Sequence, residues 1–292
     1  MFVNGVLYNS ETWQGLGTTD LTLLENIDHQ LMRFICNGHA KTPVEFLYLE
    51  SGCIQLKNMV SMRRIMYLHH ILNRSDSELI KRVFSAQRES PTPGDFVELV
   101  KSDLQSIGET LDEKAMIVRS QIQYKSYIKE KVRMAAFNDM KNLQKKHSKV
   151  MNIQYDCLKT QKYMTNSMFS NDMVKLLFNM RSSMTKGIQI NFPSIFREDM
   201  TCRLKCSDPQ AIDSQQHLLT CSVIHEKISS DESRQARHLN YDYIFGSLDQ
   251  QRDAVLVLAR MVEMWEEILE TESLPVGTNT GPESTIIVDL EK

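Results

Sequence analysis

Cys202, Cys206, His217 and Cys221 stand in a C-x3-C-x10-H-x3-C arrangement. Two thiolates on a short loop can grip one side of a tetrahedral Zn²⁺. The other two residues lie four apart, so on one helix their side chains would face the same way. Asp213, three residues before Gln216, marks a capped start for that short helix. Half of the chain's six cysteines fall within these twenty residues. The spacing predicts a small zinc knuckle, structural rather than catalytic, because no open coordination position with a nearby base is evident. Two alternatives stay open. His225, four residues past Cys221, competes with His217 as a ligand, and the cluster is otherwise a grouping of reduced thiols beside a helix. Cys36, Cys53 and Cys157 are scattered and read as small buried apolar groups.

The second chemical feature is charge. A net charge of −3 over 292 residues hides a strong asymmetry. Residues 114–186 carry 15 basic and 4 acidic side chains, whereas 1–113 carry 10 and 15, and 222–292 carry 6 and 14. A block this basic is the electrostatic footprint of a polyanion partner. Lys125, Lys129 and Arg133, then Lys141 and Lys145, step by four along one side of a helical pattern. Such a row suits a phosphate backbone. The acidic C-terminal block could instead fold back and mask it.

The elements that must position these groups are helical. With 11 Gly and 7 Pro the chain has roughly half the usual share of turn-formers, which argues against many short strands. Its 17 Met, with abundant Leu, Lys, Gln and Glu, form a helix-former's palette. Leu24, Ile27, Leu31 and Phe34 or Ile35 recur at helical spacing up to Cys36, and Asn37-Gly38 ends that helix. Thr42-Pro43 opens a short second helix. In residues 55–73 a stripe of Met59, Met62, Met66, His69 and Leu72 leaves Arg63, Arg64 and Arg74 on other faces, with one of His69 and His70 inward. Asp95 caps a helix after the Pro91–Gly94 loop. A continuous helix is expected from Glu113 to Lys146, packed through Ile117, Tyr124, Ile128, Val132 and Ala135. An amphipathic helix with Val255, Leu258, Met261, Trp265 and Leu269 follows near the end, and residues 273–292 read as a disordered tail.

Several classes are excluded or disfavoured. No apolar run approaches the ~20 residues that span a bilayer, and no secretory signal is visible, so an intracellular protein without a membrane partner is expected. No P-loop, nucleophile elbow or H-E-x-x-H zinc-protease motif is present. No catalytic residue and no small-molecule substrate is therefore assigned.

Three stretches resemble one family. They are Leu7-Tyr-Asn-Ser-Glu-Thr-Trp13 with Leu24–Asp28, Thr42–Gly52 and Arg63–Leu72; then Leu176–Arg181 with Asn191-Phe192; and finally Cys202–Cys221. Together they are similar to the C-terminal part of a non-LTR (LINE-type) retrotransposon reverse transcriptase, from the thumb onward. The resemblance implies a thumb-like helical bundle over 1–112, a basic connector over 113–200, a CCHC knuckle over 201–226 and a helical segment over 227–272. It implies a grip on RNA or an RNA–DNA duplex, with Arg63, Arg64 and Arg74 as phosphate contacts of the bundle. Arg181 either joins them or pairs internally with an acidic residue. The family's first Cys pair is spaced C-x2-C, and here one residue is inserted. The palm, with its [FY]-x-D-D carboxylates, has no counterpart, so the two Mg²⁺ ions of nucleotidyl transfer have nothing to hold them. Met1 falls inside a family motif, which reads as a truncated frame or a fragment kept for binding. The alternative is a structural or interaction protein, or a decayed gene product without activity.

Overall fold

The computed structural model describes residues 5, 7–13, 18–185, 188 and 200–272. The expected tail at 273–292 and the Asn191-Phe192 motif lie outside them. The described residues are mainly helical, with no strand and one isolated bridge between Thr201 and Ile212. None of their helices is long and apolar enough to cross a membrane. The chain divides into two compact units, residues 1–187 with 242–255, and residues 188–241 with 256–292.

In the first unit, α1 (Thr18–Cys36), α2 (Val44–Ser51), α3 (Leu56–Leu72), α4 (Leu79–Glu89) and α5 (Phe96–Ser106) are followed by α6 (Glu113–Ile117), α7 (Gln121–Gln144) and α8 (Asn171–Arg181). Helix α3 is central and packs against α7, α5, α1, α4 and α6. Its His69 stacks on Tyr124 of α7 with ring centroids 4.4 Å apart, while His70 is exposed. Asp95 accepts a hydrogen bond from the Glu98 N–H at 2.8 Å and starts α5 where the Pro-rich loop ends.

Two helices differ from the sequence pattern. The expected continuous helix breaks at 118–120, because Ser120 and Gln123 form a reciprocal capping box that starts α7 afresh. Ile117 is consequently exposed, and the buried ladder of α7 is Tyr124, Ile128, Val132, Ala136, Met140 and Gln144. One core runs from Met32 through this ladder to Phe178, so the boundary expected at 112/113 falls inside the unit. Helix α1 is turned relative to its apolar stripe. Asp28, Met32 and Cys36 face inward, and Leu23, Ile27, Phe34 and Ile35 are exposed.

The inward face of α1 has a polar reason. Asp28 Oδ2 accepts from the Tyr48 hydroxyl at 2.5 Å and from the Leu56 N–H at 3.0 Å, satisfying two buried donors. Burial nevertheless outweighs these bonds and raises the Asp28 pKa above its ordinary 3.8. A carboxyl raised in the folded state contributes stability while protonated and loses it as pH climbs through the folded value. Asp28→Asn keeps an acceptor without the charge. It is expected to raise the urea midpoint at pH 7 relative to wild type, with the difference shrinking toward pH 4; a lower midpoint at both pH values would refute this account.

Glu50 organises the rest of the unit. It is fully buried, and its carboxylate accepts from Tyr155 (2.5 Å), from Tyr163 (2.7 Å) and from Arg181 Nε and Nη2 (3.1 and 2.8 Å). Beside it the chain bends at Gly52, whose φ is +68°. A Cβ there would overlap the main chain of Lys159 and Thr160, so only glycine allows this approach. Gln161 N–H donates to the Glu50 carbonyl at 2.8 Å, and Thr160 Oγ1 to the Ser51 carbonyl at 2.7 Å. The returning segment is thus held, by one amide and one side-chain hydroxyl, to the main chain of residues 50–52.

Candidate metal centre and basic helix

The second unit contains α9 (Gln215–Leu218), α10 (Ser222–Lys227), α11 (Ser230–His238) and, in α12 (Leu248–Glu272), the residues from 256 onward. Leu258, Met261, Met264, Trp265 and Ile268 form the buried stripe of that last part. The Cys202 N–H donates to the Ala211 carbonyl and the Asp213 N–H to the Met200 carbonyl, both at 2.8 Å, which closes the intervening loop. Within it Lys205 takes a left-handed φ of 49°, and its N–H bonds the Cys202 carbonyl at 2.9 Å. This turn absorbs the third residue between the two cysteines.

Cys202, Cys206, His217 and Cys221 converge, with one ligand atom from each lying within 4.8 Å of all the others, and they can hold a metal ion. Cys202 Sγ is 3.8 Å from Cys221 Sγ, and Cys206 Sγ is 3.5 Å from His217 Nε2. Burial pushes the Cys202 thiol up to about 12, raises Cys221 and lowers His217. Burial therefore favours the neutral forms of Cys202, Cys221 and His217, and a cation entering the cluster would displace thiol protons.

The local helix differs from expectation. Ser214, not Asp213, caps α9, accepting from the His217 N–H at 3.1 Å. Asp213 instead accepts from Arg203 Nε at 2.7 Å. Cys221 is not one turn further along the same helix but is the N-cap of α10. His225 does not join the cluster. Its Nδ1 is 2.8 Å from Ser233 Oγ and its Nε2 is 2.8 Å from the Leu219 carbonyl, so both nitrogens are engaged elsewhere.

Arg203, inside the cysteine loop, escaped sequence reasoning. Its guanidinium lies 4.7 Å from the Trp265 ring as well as bonding Asp213, which ties the loop to α12. No periodicity or spacing in the sequence pairs positions 203 and 265.

The expected phosphate contacts separate into two groups. Arg64 is buried and donates to Asp103 at 2.7 Å, with Ser61 completing the carboxylate, so it faces the core and is not a surface cation. Arg181 takes the internal alternative, pairing with Glu50 and donating to the Ile244 carbonyl at 2.7 Å. Arg63 bonds the Leu7 carbonyl, and exposed Arg74 bonds His70 and lies 3.8 Å from Glu78. On α7, Lys125 and Lys129 are exposed, as is Lys145 just past its end. The middle of the row is covered. Arg133 donates to the Gly52 and Leu158 carbonyls (3.1 and 2.6 Å) and Lys141 to Tyr155 (3.2 Å), because residues 153–160 return along the helix. Cys53 and Cys157 are exposed, and only Cys36 is buried as expected of the three.

No protein-family model, no curated protein and no solved structure matches this chain.

Proposed function

We propose that these residues form a nucleic-acid-binding module, derived from the C-terminal part of a non-LTR reverse transcriptase, that grips RNA or an RNA–DNA duplex. Binding, not polymerisation, is its activity. The observation that carries this reading is that Lys125 and Lys129 on α7 and Lys145 just past its end remain exposed and are in no ion pair among the described residues. Lys125 and Lys129 lie about 6 Å apart along the helix axis, which lets each meet a separate phosphate.

The metal of the Cys/His cluster in this reading is structural Zn²⁺. A tetrahedral ion with Zn–S of about 2.3 Å and Zn–N of about 2.0–2.1 Å separates two sulfurs by about 3.8 Å and a sulfur from a nitrogen by about 3.6 Å. The Cys202–Cys221 and Cys206–His217 separations, 3.8 and 3.5 Å, support that choice. Three thiols and an imidazole fill four positions, so the ion holds the loop and activates no water.

The test is a titration of the full chain with an RNA–DNA hybrid and with duplex at several salt concentrations. Log K is expected to fall linearly with log salt, and Lys125→Gln with Lys129→Gln to make the slope shallower by about 2. A flat plot would reject the proposal. One observation favours a second reading, a structural or interaction protein: the exposed Leu23, Ile27, Phe34 and Ile35 of α1. Salt-independent behaviour together with self-association in sedimentation would support that reading instead.

A further inference from the structure

A groove of about 560 Å³ lies between α7 and residues 156–159, a size that suits a small organic unit. Its apolar surface includes Met134, more than half exposed, and half-buried Phe137. Lys129 stands on the helix wall and Lys159 on the returning segment; both are exposed and in no ion pair among the described residues. Arg133 also lines the groove, but its guanidinium is occupied by the carbonyls that fasten the segment. Glu130 and Asp156 complete the charged lining.

We infer that this groove receives one unstacked nucleotide of a single-stranded nucleic acid, with phosphate against Lys129 and Lys159 and the base against Met134 and Phe137. The inference rests on the nucleic-acid-binding reading above and names a place for it. An apolar peptide would leave both lysines to the lining carboxylates, whereas a nucleotide brings a flat apolar face and an anion together. Glu130 and Asp156 repel a phosphate set beside them but accept the N–H groups of a base edge, which favours one orientation of the unit. A base locked in a duplex stack cannot enter, so the groove distinguishes single strands from paired ones.

Cys157 lines the groove and is exposed, and Cys53 is exposed outside it, so the chain carries its own probe and control. Zinc-loaded full-length protein would be alkylated with iodoacetamide, with single-stranded oligoadenylate of about a dozen nucleotides or a duplex of equal length present. The single strand is expected to slow modification of Cys157 but not of Cys53, and the duplex to slow neither. Met134→Ala and Lys159→Gln, both at exposed positions, should each weaken single-strand binding about tenfold and leave duplex binding unchanged. Equal weakening of both ligands, or equal protection of both cysteines, would overturn the assignment, as would Cys157 protection that follows protein concentration and ignores the oligonucleotide. Wild-type protein that binds neither ligand would overturn the nucleic-acid reading itself. Binding without Cys157 protection would remove only the groove.

Discussion

Arg181→Met is expected to lower the unfolding free energy of the chain by about 3–5 kcal/mol, the cost of leaving a buried charge without its partner. Glu50 has no exposure to water, and without the guanidinium only the Tyr155 and Tyr163 hydroxyls remain to it. Burial pulls the Arg181 pKa down, but Glu50, Tyr163 and Tyr155 together pull it up, and the net shift is upward. The Arg181 guanidinium therefore stays charged in place. Arg181 also lies 5.4 Å from the Tyr163 ring and 5.0 Å from the Phe245 ring, so packing around a methionine side chain is retained in part. Replacing both members, Arg181→Met with Glu50→Leu, should recover part of the loss, because the uncompensated charge is then gone while the Tyr155 and Tyr163 hydroxyls lose their acceptor. Urea unfolding followed by circular dichroism measures wild type and both variants. A single Arg181→Met cost below about 1 kcal/mol, the range of exposed pairs, would show that the cluster contributes little.

The second large effect concerns the metal centre. Wild-type protein is expected to carry about one zinc per chain, and Cys221→Ser to lose it, removing the cooperative unfolding of the second unit. Structural zinc is worth about 10–16 kcal/mol in isolated finger peptides, far more than any hydrogen bond in this loop. The chain has two tryptophans, so in a Trp13→Phe background the emission reports Trp265 alone. Chelation should change that emission as the cysteine loop slackens and Arg203 leaves the indole ring. His217→Ala should lower zinc content, whereas His225→Ala should retain zinc and lose only the contacts to Ser233 and Leu219. Full zinc content in Cys221→Ser, or loss only in His225→Ala, would contradict this ligand set.

These two sites differ in how readily their sequence discloses them. The four residues that could hold a metal ion fall within twenty residues, and their spacing alone singles out Cys202, Cys206, His217 and Cys221 as a group. The Asp95 cap is likewise local, requiring only the Glu98 N–H three residues on. Glu50 and Arg181 are 131 residues apart; an internal acidic partner was one of two alternatives for Arg181, but nothing near it in sequence names Glu50 as that partner. Arg64 misled for the same reason, since Asp103 lies on another helix. Helix α1 had a clear apolar period, yet its inward face was decided by donors at Tyr48 and Leu56 that no period encodes. The row of cations on α7 was legible as composition. Its partial occlusion was not, because residues 153–160 return without a regular repeat of their own.

Gly52 has a consequence for how the groove can change. The wall opposite α7 is registered by a glycine that lets two stretches of main chain nearly touch, by the Gln161 amide on the Glu50 carbonyl, and by Thr160, Arg133 and Lys141 side chains that donate to main-chain carbonyls. Positions 156, 157 and 159 therefore sit as interchangeable lettering on a fixed frame. Ligand preference there can be rewritten one residue at a time without taking the frame apart, while position 52 itself admits no spelling but one.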